Sequence, residues 1–235
     1  MANYERDLIG EHASIHALRK LITRVARSPA RTVLIYGETG TGKELVARML
    51  HQQSARCASE FVDINCAAIP SSLLESELFG HERGAFTGAQ VKKAGLVEMA
   101  NHGTVFLDEI REMDLVLQAK LLSFLDTQSF RRVGAVTSTS VDVRLVAATN
   151  KILLGEVNSG HFREDLYYRL QVVAINLPAL RERASDALIL SQHFVDKFNA
   201  QYKRNIKGLS EEVQQIFLQY PWPGNVRELE NLIER

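Results

Sequence analysis

Gly37-Glu38-Thr39-Gly40-Thr41-Gly42-Lys43, followed by Glu44, is the stretch that decides the fold. It stands between residues 32–36, a short β-branched and apolar run, and Leu45, Val46, Met49 and Leu50, which recur at helical spacing. A glycine-rich turn between a buried strand and a helix is the context a phosphate-binding loop requires. Glycines let backbone N–H groups turn toward phosphate oxygens, the helix N-terminus adds positive dipole, and Lys43 reaches the β and γ oxygens. The plain alternative, a tight turn with no ligand, does not account for the lysine opening the helix. One residue departs from the generic motif. Ser or Thr, whose hydroxyl binds magnesium, is replaced by Glu44. Either the metal is held differently or the loop belongs to a subgroup that dispenses with the hydroxyl.

Outward from this loop the chain alternates. Ile15, Leu18, Leu21, Ile22 and Val25 mark one face of a helix, and residues 61–65 read as a second strand. Val105-Phe106-Leu107 is a third, residues 143–148 a fourth and residues 172–177 the last, with Pro178 as its stop. Leu117, Leu121, Leu122 and Leu125 place another helix between the third and fourth. Alternating strands and helices predict an α/β core with a five-stranded parallel sheet between helices. After Pro178 only helical spacing remains, in Leu188 to Phe198, Val213 to Phe217 and Val226 to Leu232. The expected division is a nucleotide-binding core over residues 1–177 and a small all-helical lid over 178–235.

Composition narrows the function. The 235 residues carry 28 Lys+Arg and 28 Asp+Glu, a formal charge of zero, which argues against a chain that coats nucleic acid or an anionic membrane. No apolar run approaches the roughly 18 residues that span a bilayer, and residues 1–7 lack a signal-peptide core. Two cysteines, Cys57 and Cys66, build neither a disulfide scaffold nor a four-ligand zinc site, and the seven histidines show no ligand spacing. The expectation is a soluble cytoplasmic domain.

Two further stretches carry chemistry. Asp108 and Glu109 end the third strand, where adjacent carboxylates suit a nucleotide site at the C-terminal edge of a sheet. Asp108 can hold Mg²⁺ through water and Glu109 can polarise the attacking water. Thr149 and Asn150, ending the fourth strand, would lie beside the γ-phosphate. Gly84-Ala85-Phe86-Thr87-Gly88-Ala89 sets an aromatic among small residues, unsuited to a core helix because glycine is costly there. It is either a loop with Phe86 tucked onto the core or one presented to another macromolecule.

That last string, GAFTGA, is where the chain closely resembles the AAA+ central domain of bacterial enhancer-binding proteins, the activators of sigma-54 RNA polymerase. The resemblance runs from Leu8-Ile9-Gly10 to Leu232 and includes Glu44, so the departure from the generic loop is itself a match. It takes in Asn65-Cys66-Ala67-Ala68, residues 162–170 (FREDLYYRL), Leu180-Arg181-Glu182-Arg183 and residues 222–229 (WPGNVREL). Three positions differ from the family's usual residues: Val97 for an aromatic, His102 for glycine and Ala179 for proline. None is a predicted catalytic position, so they bear on local packing.

The resemblance implies an ATP- and Mg²⁺-dependent AAA+ ATPase working as a hexameric homo-oligomeric ring. It implies that Asn65 is a polar switch holding Glu109 from water, and that Arg163 and Arg169 are fingers reaching a neighbour's ATP. An arginine supplied in trans can be worth about 10³–10⁵ in rate. The unaided reading of Arg163 is a solvated pair with Asp165 or Glu164 worth at most about 1 kcal/mol. Arg227 resembles the lid's sensor arginine and Asn150 the core's sensor, and Leu8 and Ile9 would wall the adenine. Residues 84–89 would touch sigma-54 RNA polymerase holoenzyme and drive open promoter complex formation. DNA contact in the family belongs to a helix-turn-helix domain, of which no pattern follows Arg235, so the stretch is expected to be an excised module or a regulator without its neighbours. The alternative is another AAA+ ring that remodels protein or nucleic acid. A nucleotide-gated module that does not hydrolyse is disfavoured by the intact Asp108 and Glu109.

Overall fold

The computed structural model describes residues 7–183 and 185–235; the sequence reading of residues 1–6 lies outside them. The strands are Thr32–Tyr36 (β1), Phe61–Asn65 (β2), Gly80–His81 (β3), Lys93–Ala94 (β4), Thr104–Asp108 (β5), Ser129–Arg131 (β6), Ser138–Ser140 (β7), Arg144–Thr149 (β8) and Ala174–Asn176 (β9). Around the sheet lie helices Ala13–Ala26 (α1), Lys43–Gln52 (α2), Ser71–Phe79 (α3), Leu96–Met99 (α4), Leu115–Thr127 (α5), Leu153–Asn158 (α6) and Glu164–Leu170 (α7). Asp186–Tyr202 (α8), Glu211–Gln219 (α9) and Asn225–Glu234 (α10) follow.

Five strands form one parallel sheet in the order β2-β5-β8-β1-β9. Its faces separate residue by residue. Leu34, Val105, Leu107, Leu145 and Ala147 face the side covered by α3, α5 and α7. Val33, Ile35, Phe106, Val146 and Ala148 face α1 and α2. Continuous apolar strands are what two covered faces demand, since alternate side chains point opposite ways and both must leave water. β1 therefore lies inside the sheet, and the loop that leaves it opens at the sheet's C-terminal edge beside Asp108 and Thr149.

α8, α9 and α10 build a separate apolar cluster around Phe194, Phe217, Trp222 and Leu229. Trp222 is buried, donates Nε1–H to the Phe217 carbonyl at 3.0 Å and meets the Phe217 and Tyr220 rings edge-on. The segment before α1 reaches this cluster too. Asp186 Oδ1 accepts from the amides of Glu11 and His12 at 2.7 and 3.1 Å, while Arg19 holds the carbonyls of Leu8 and Gly10. Among the described residues no helix is long and apolar enough to cross a membrane.

Three details depart from the sequence reading. The last strand is shorter than residues 172–177, an edge of three residues paired with β1 alone. Two small hairpins, β3–β4 and β6–β7, are additional. The third is His102, exposed at φ +64°, in the left-handed region that glycine enters freely. Its unusual identity thus carries a conformational cost, and His102→Gly is expected to stabilise the domain by about 1 kcal/mol in urea unfolding. A destabilised variant would mean the side chain's approach to Asp142, 4.0 Å away, outweighs that strain.

Candidate active site

The phosphate loop is closed by its own contacts. Thr41 Oγ1 donates to the Glu38 carbonyl at 2.7 Å, and Gly42, at φ +100°, turns the chain into α2. Lys43 is buried, donates from Nζ to the Gly37 carbonyl at 3.0 Å, and lies 3.6 Å from Glu109 Oε1. Asp108 and Glu109 leave β5, which β8 separates from β1, with Asp108 Oδ1 accepting from the Glu109 amide at 3.0 Å. Glu109 adopts a left-handed backbone at φ +51°, and its Oε2 is buried without a hydrogen-bond partner. Strain and an orphaned acceptor on one carboxylate mark a group built for something other than stability.

These residues share a cleft of about 670 Å³ with Thr39, Gly40, Glu44, Asn65 and Arg227. Asn150 reaches the same loop, Nδ2 donating to Thr39 Oγ1 at 3.2 Å. An adjoining cavity of about 230 Å³ is walled by Leu8, Ile9, Leu45, Leu190 and Phe194. Both cavities touch Gly42, Val226 and Glu230, so a phosphate-bearing tail in the polar cleft can carry a flat apolar head into the second. Another hollow of similar size, about 620 Å³, lies between α9 and α10, but Ile216, Phe217, Tyr220 and Leu232 make it apolar. Cys66, beside the cleft, is chemically silent: burial first, then the charge of Asp108, pushes its thiol up to about 12.

The oxygen-only carboxylates at the cleft suit a hard cation. Among the described residues no cluster of His, Cys, Asp and Glu could hold an ion unaided. A divalent ion there would share its ligands between Asp108 and phosphate oxygens, the usual arrangement for Mg²⁺. Glu44 is committed elsewhere, to Arg48 at 2.8 Å, and Arg48 also pairs Asp63.

Several predicted residues stand differently. Asn65 does not hold Glu109; its Oδ1 accepts from the Ala67 amide at 3.0 Å. Arg163 and Arg169 line neither cavity. Arg163 forms a two-pronged pair with Asp165 at 3.0 and 2.7 Å, the local reading of that motif, and Arg169 pairs Asp126 at 3.1 Å. Residues 84–89 are a compact loop away from both cavities, with Gly84, Phe86, Thr87 and Gly88 exposed, Ala85 half-buried and Ala89 buried as an anchor. Phe86 stands edge-on to His81 at 5.0 Å. At the loop's base Arg132 binds both oxygens of Glu98 at 2.8 Å and Glu82 at 3.0 Å. Gly134, beyond β6, sits so close that an added Cβ would meet Ala85 at 2.9 Å.

Residues 8–176 match the family model described as the sigma-54 interaction domain, and residues 181–235 match the AAA+ ATPase lid domain. The chain belongs to the sigma-54 interaction domain family. It is 52% identical to the regulatory protein AtoC of Escherichia coli over 90% of this chain and 46% of that protein. It is 49% identical to the transcriptional regulatory protein ZraR of the same organism, over 97% of this chain and 52% of the relative. NtrX from Brucella abortus, solved in complex with ATP, superposes with a TM-score of 0.90 at 37% identity, over 98% of this chain and 53% of that one. The chain thus spans about half the length of the curated relatives it matches. The sigma-54 interaction domain is an AAA+ ATPase family, and its loop-to-lid contacts were the part of the site the sequence hid. Glu38, Arg181 and Asn225 are 143 to 187 residues apart in the pairs they form.

Proposed function

We propose that the chain is an Mg²⁺-dependent ATPase, divided near residues 177 and 178 into core and lid, that works in the cytoplasm as a hexameric ring. Residues 84–89 contact sigma-54 RNA polymerase holoenzyme and convert hydrolysis into open promoter complex formation. The observation that carries the reading is the meeting of Lys43, Asp108, Glu109, Asn150 and Arg227 around one loop, with Gly84, Phe86, Thr87 and Gly88 exposed elsewhere.

Leu8 and Ile9 wall the base, the loop amides and Lys43 hold the phosphates, and Arg227 closes from the lid. Asp108 would hold Mg²⁺, through water, and the ion would supply neutralisation of phosphate charge. Lys43 spends its charge on Glu109 before ATP arrives. Phosphate oxygens compete for that ammonium, which frees Glu109 to take a proton from the attacking water, while Asn150 orients that water. Asn65, 65–108 register partner of the Asp108 strand end, is placed to exchange its Ala67 contact for Glu109.

Arg163 and Arg169 serve a neighbour's site, which explains their distance from their own. Arg163→Ala and Arg169→Ala are each expected to bind ATP normally while turnover falls about 10³-fold or more. Native activity per molecule should rise with protein concentration; a flat profile down to clear monomers rules out a trans role.

Thr87→Ala tests the output. One hydroxyl contributes about 0.5–1.5 kcal/mol per contact, and simultaneous loops on one target multiply that difference. ATPase rate should stay close to native, while sigma-54 retention in an ATP transition-state analogue and open-complex yield both collapse. Unchanged open-complex formation would make another class of AAA+ remodeller the better reading.

A further inference from the structure

A second set of contacts joins the phosphate loop to the lid through residues that the hydrolysis scheme leaves unused. Asn225 is fully buried and opens α10 at φ +54°, a region asparagine enters more readily than most side chains. Its Oδ1 accepts from the Leu180 amide at 2.8 Å. Its Nδ2 donates to Glu38 Oε2 at 3.1 Å and to the Thr39 carbonyl at 3.0 Å. Arg181 grips the same Glu38 carboxylate at 2.5 and 2.8 Å. The amides of Val226 and Arg227 both point at the Gly40 carbonyl, at 3.0 and 3.3 Å. So close is this approach that a Cβ on Gly40 would come 2.2 Å from the Gly224 carbonyl oxygen.

Three successive loop residues, 38–40, are therefore held by three successive residues of α10, 225–227. We infer that Asn225, braced by Glu38 and Arg181, is a positioning residue of the nucleotide site: it sets α10 on the phosphate loop so that Arg227 meets the terminal phosphates. The inference rests on the ATP-site reading and adds to it the device by which the lid senses the loop. It also accounts for a carboxylate in a loop made for anions. The Arg181 hydrogen bonds, then that of Asn225, hold the Glu38 carboxyl down at about 2. The charge is thus permanent but already matched by a cation before any phosphate enters.

Asn225→Asp is the discriminating variant. It keeps the shape, the left-handed backbone and the acceptor for Leu180, and sets a carboxylate against Glu38. The expected result is a KM for ATP raised about tenfold with kcat within about threefold, since the hydrogen bond to Glu38 becomes a repulsion and the one to the Thr39 carbonyl is lost. Adding Glu38→Gln faces the new carboxylate with an amide donor and should return KM to within about threefold of native. In an Arg227→Ala background, Asn225→Asp should change KM by less than about twofold, because the residue it positions is gone. A multiplicative loss with Arg227→Ala, no rescue by Glu38→Gln, or a lower melting temperature at unchanged KM each overturns the proposal. The native chain measured alongside separates the two failures: absent native turnover sinks the ATP-site reading, whereas native turnover with multiplicative variants sinks only the positioning role.

Discussion

Lys43→Ala is expected to weaken ATP binding by roughly 10²–10⁴-fold, because two or more charge-assisted hydrogen bonds are worth about 3–6 kcal/mol together. Geometry makes the loss hard to compensate. Lys43 is the cation of the phosphate loop; Arg48 is committed to Glu44 and Asp63, and Arg181 to Glu38. The variant also strips Glu109 of the ammonium 3.6 Å away, leaving a half-buried carboxylate, one oxygen of it already without a partner, with less company. Calorimetric titration with ATP checks the affinity, and thermal melting checks that the fold survives. A dissociation constant within tenfold of native would remove residues 37–43 from the phosphate site.

Glu109→Gln should do the opposite. ATP binding stays within about threefold of native while single-turnover cleavage drops about 10²–10⁴-fold, the range for removing a general base. The amide matches the carboxylate in shape and can still accept from Lys43, so the loop keeps its form. It cannot take up a proton. Normal cleavage in that variant would move the base elsewhere, with Asp108 the next carboxylate in line.

The sheet was legible because its strands are covered on both faces, which forces uninterrupted apolar runs such as Thr32–Tyr36. The phosphate loop was legible because strand, glycines and lysine are contiguous. What periodicity cannot reach is shorter than its own repeat: β3 and β4 have two residues each, and β6 and β7 three. The two hairpins meet where the Val133 amide donates to the Gly80 carbonyl and the Val133 carbonyl accepts from the Glu82 amide, across a sequence gap of more than fifty residues. Asn225 shows the other limit. After Pro223-Gly224 it reads as a helix start, and nothing local tells that its amide is spent on Glu38 and Thr39. Arg163 carried two readings in the sequence, and its pair with Asp165 realises the local one without touching the trans one.

Glu109 holds a backbone angle that suits glycine and buries an oxygen that nothing satisfies. Each is a tax on folding, and the left-handed angle alone is worth about 1–2 kcal/mol. Natural selection tolerates such a position only while turnover matters. In a lineage that had kept this fold but lost hydrolysis, this codon would be among the first to drift, toward glycine or asparagine, and the chain would become hardier as it became idle. Laboratory evolution for heat resistance alone would find the same route, so screens of this domain need a hydrolysis check at every round.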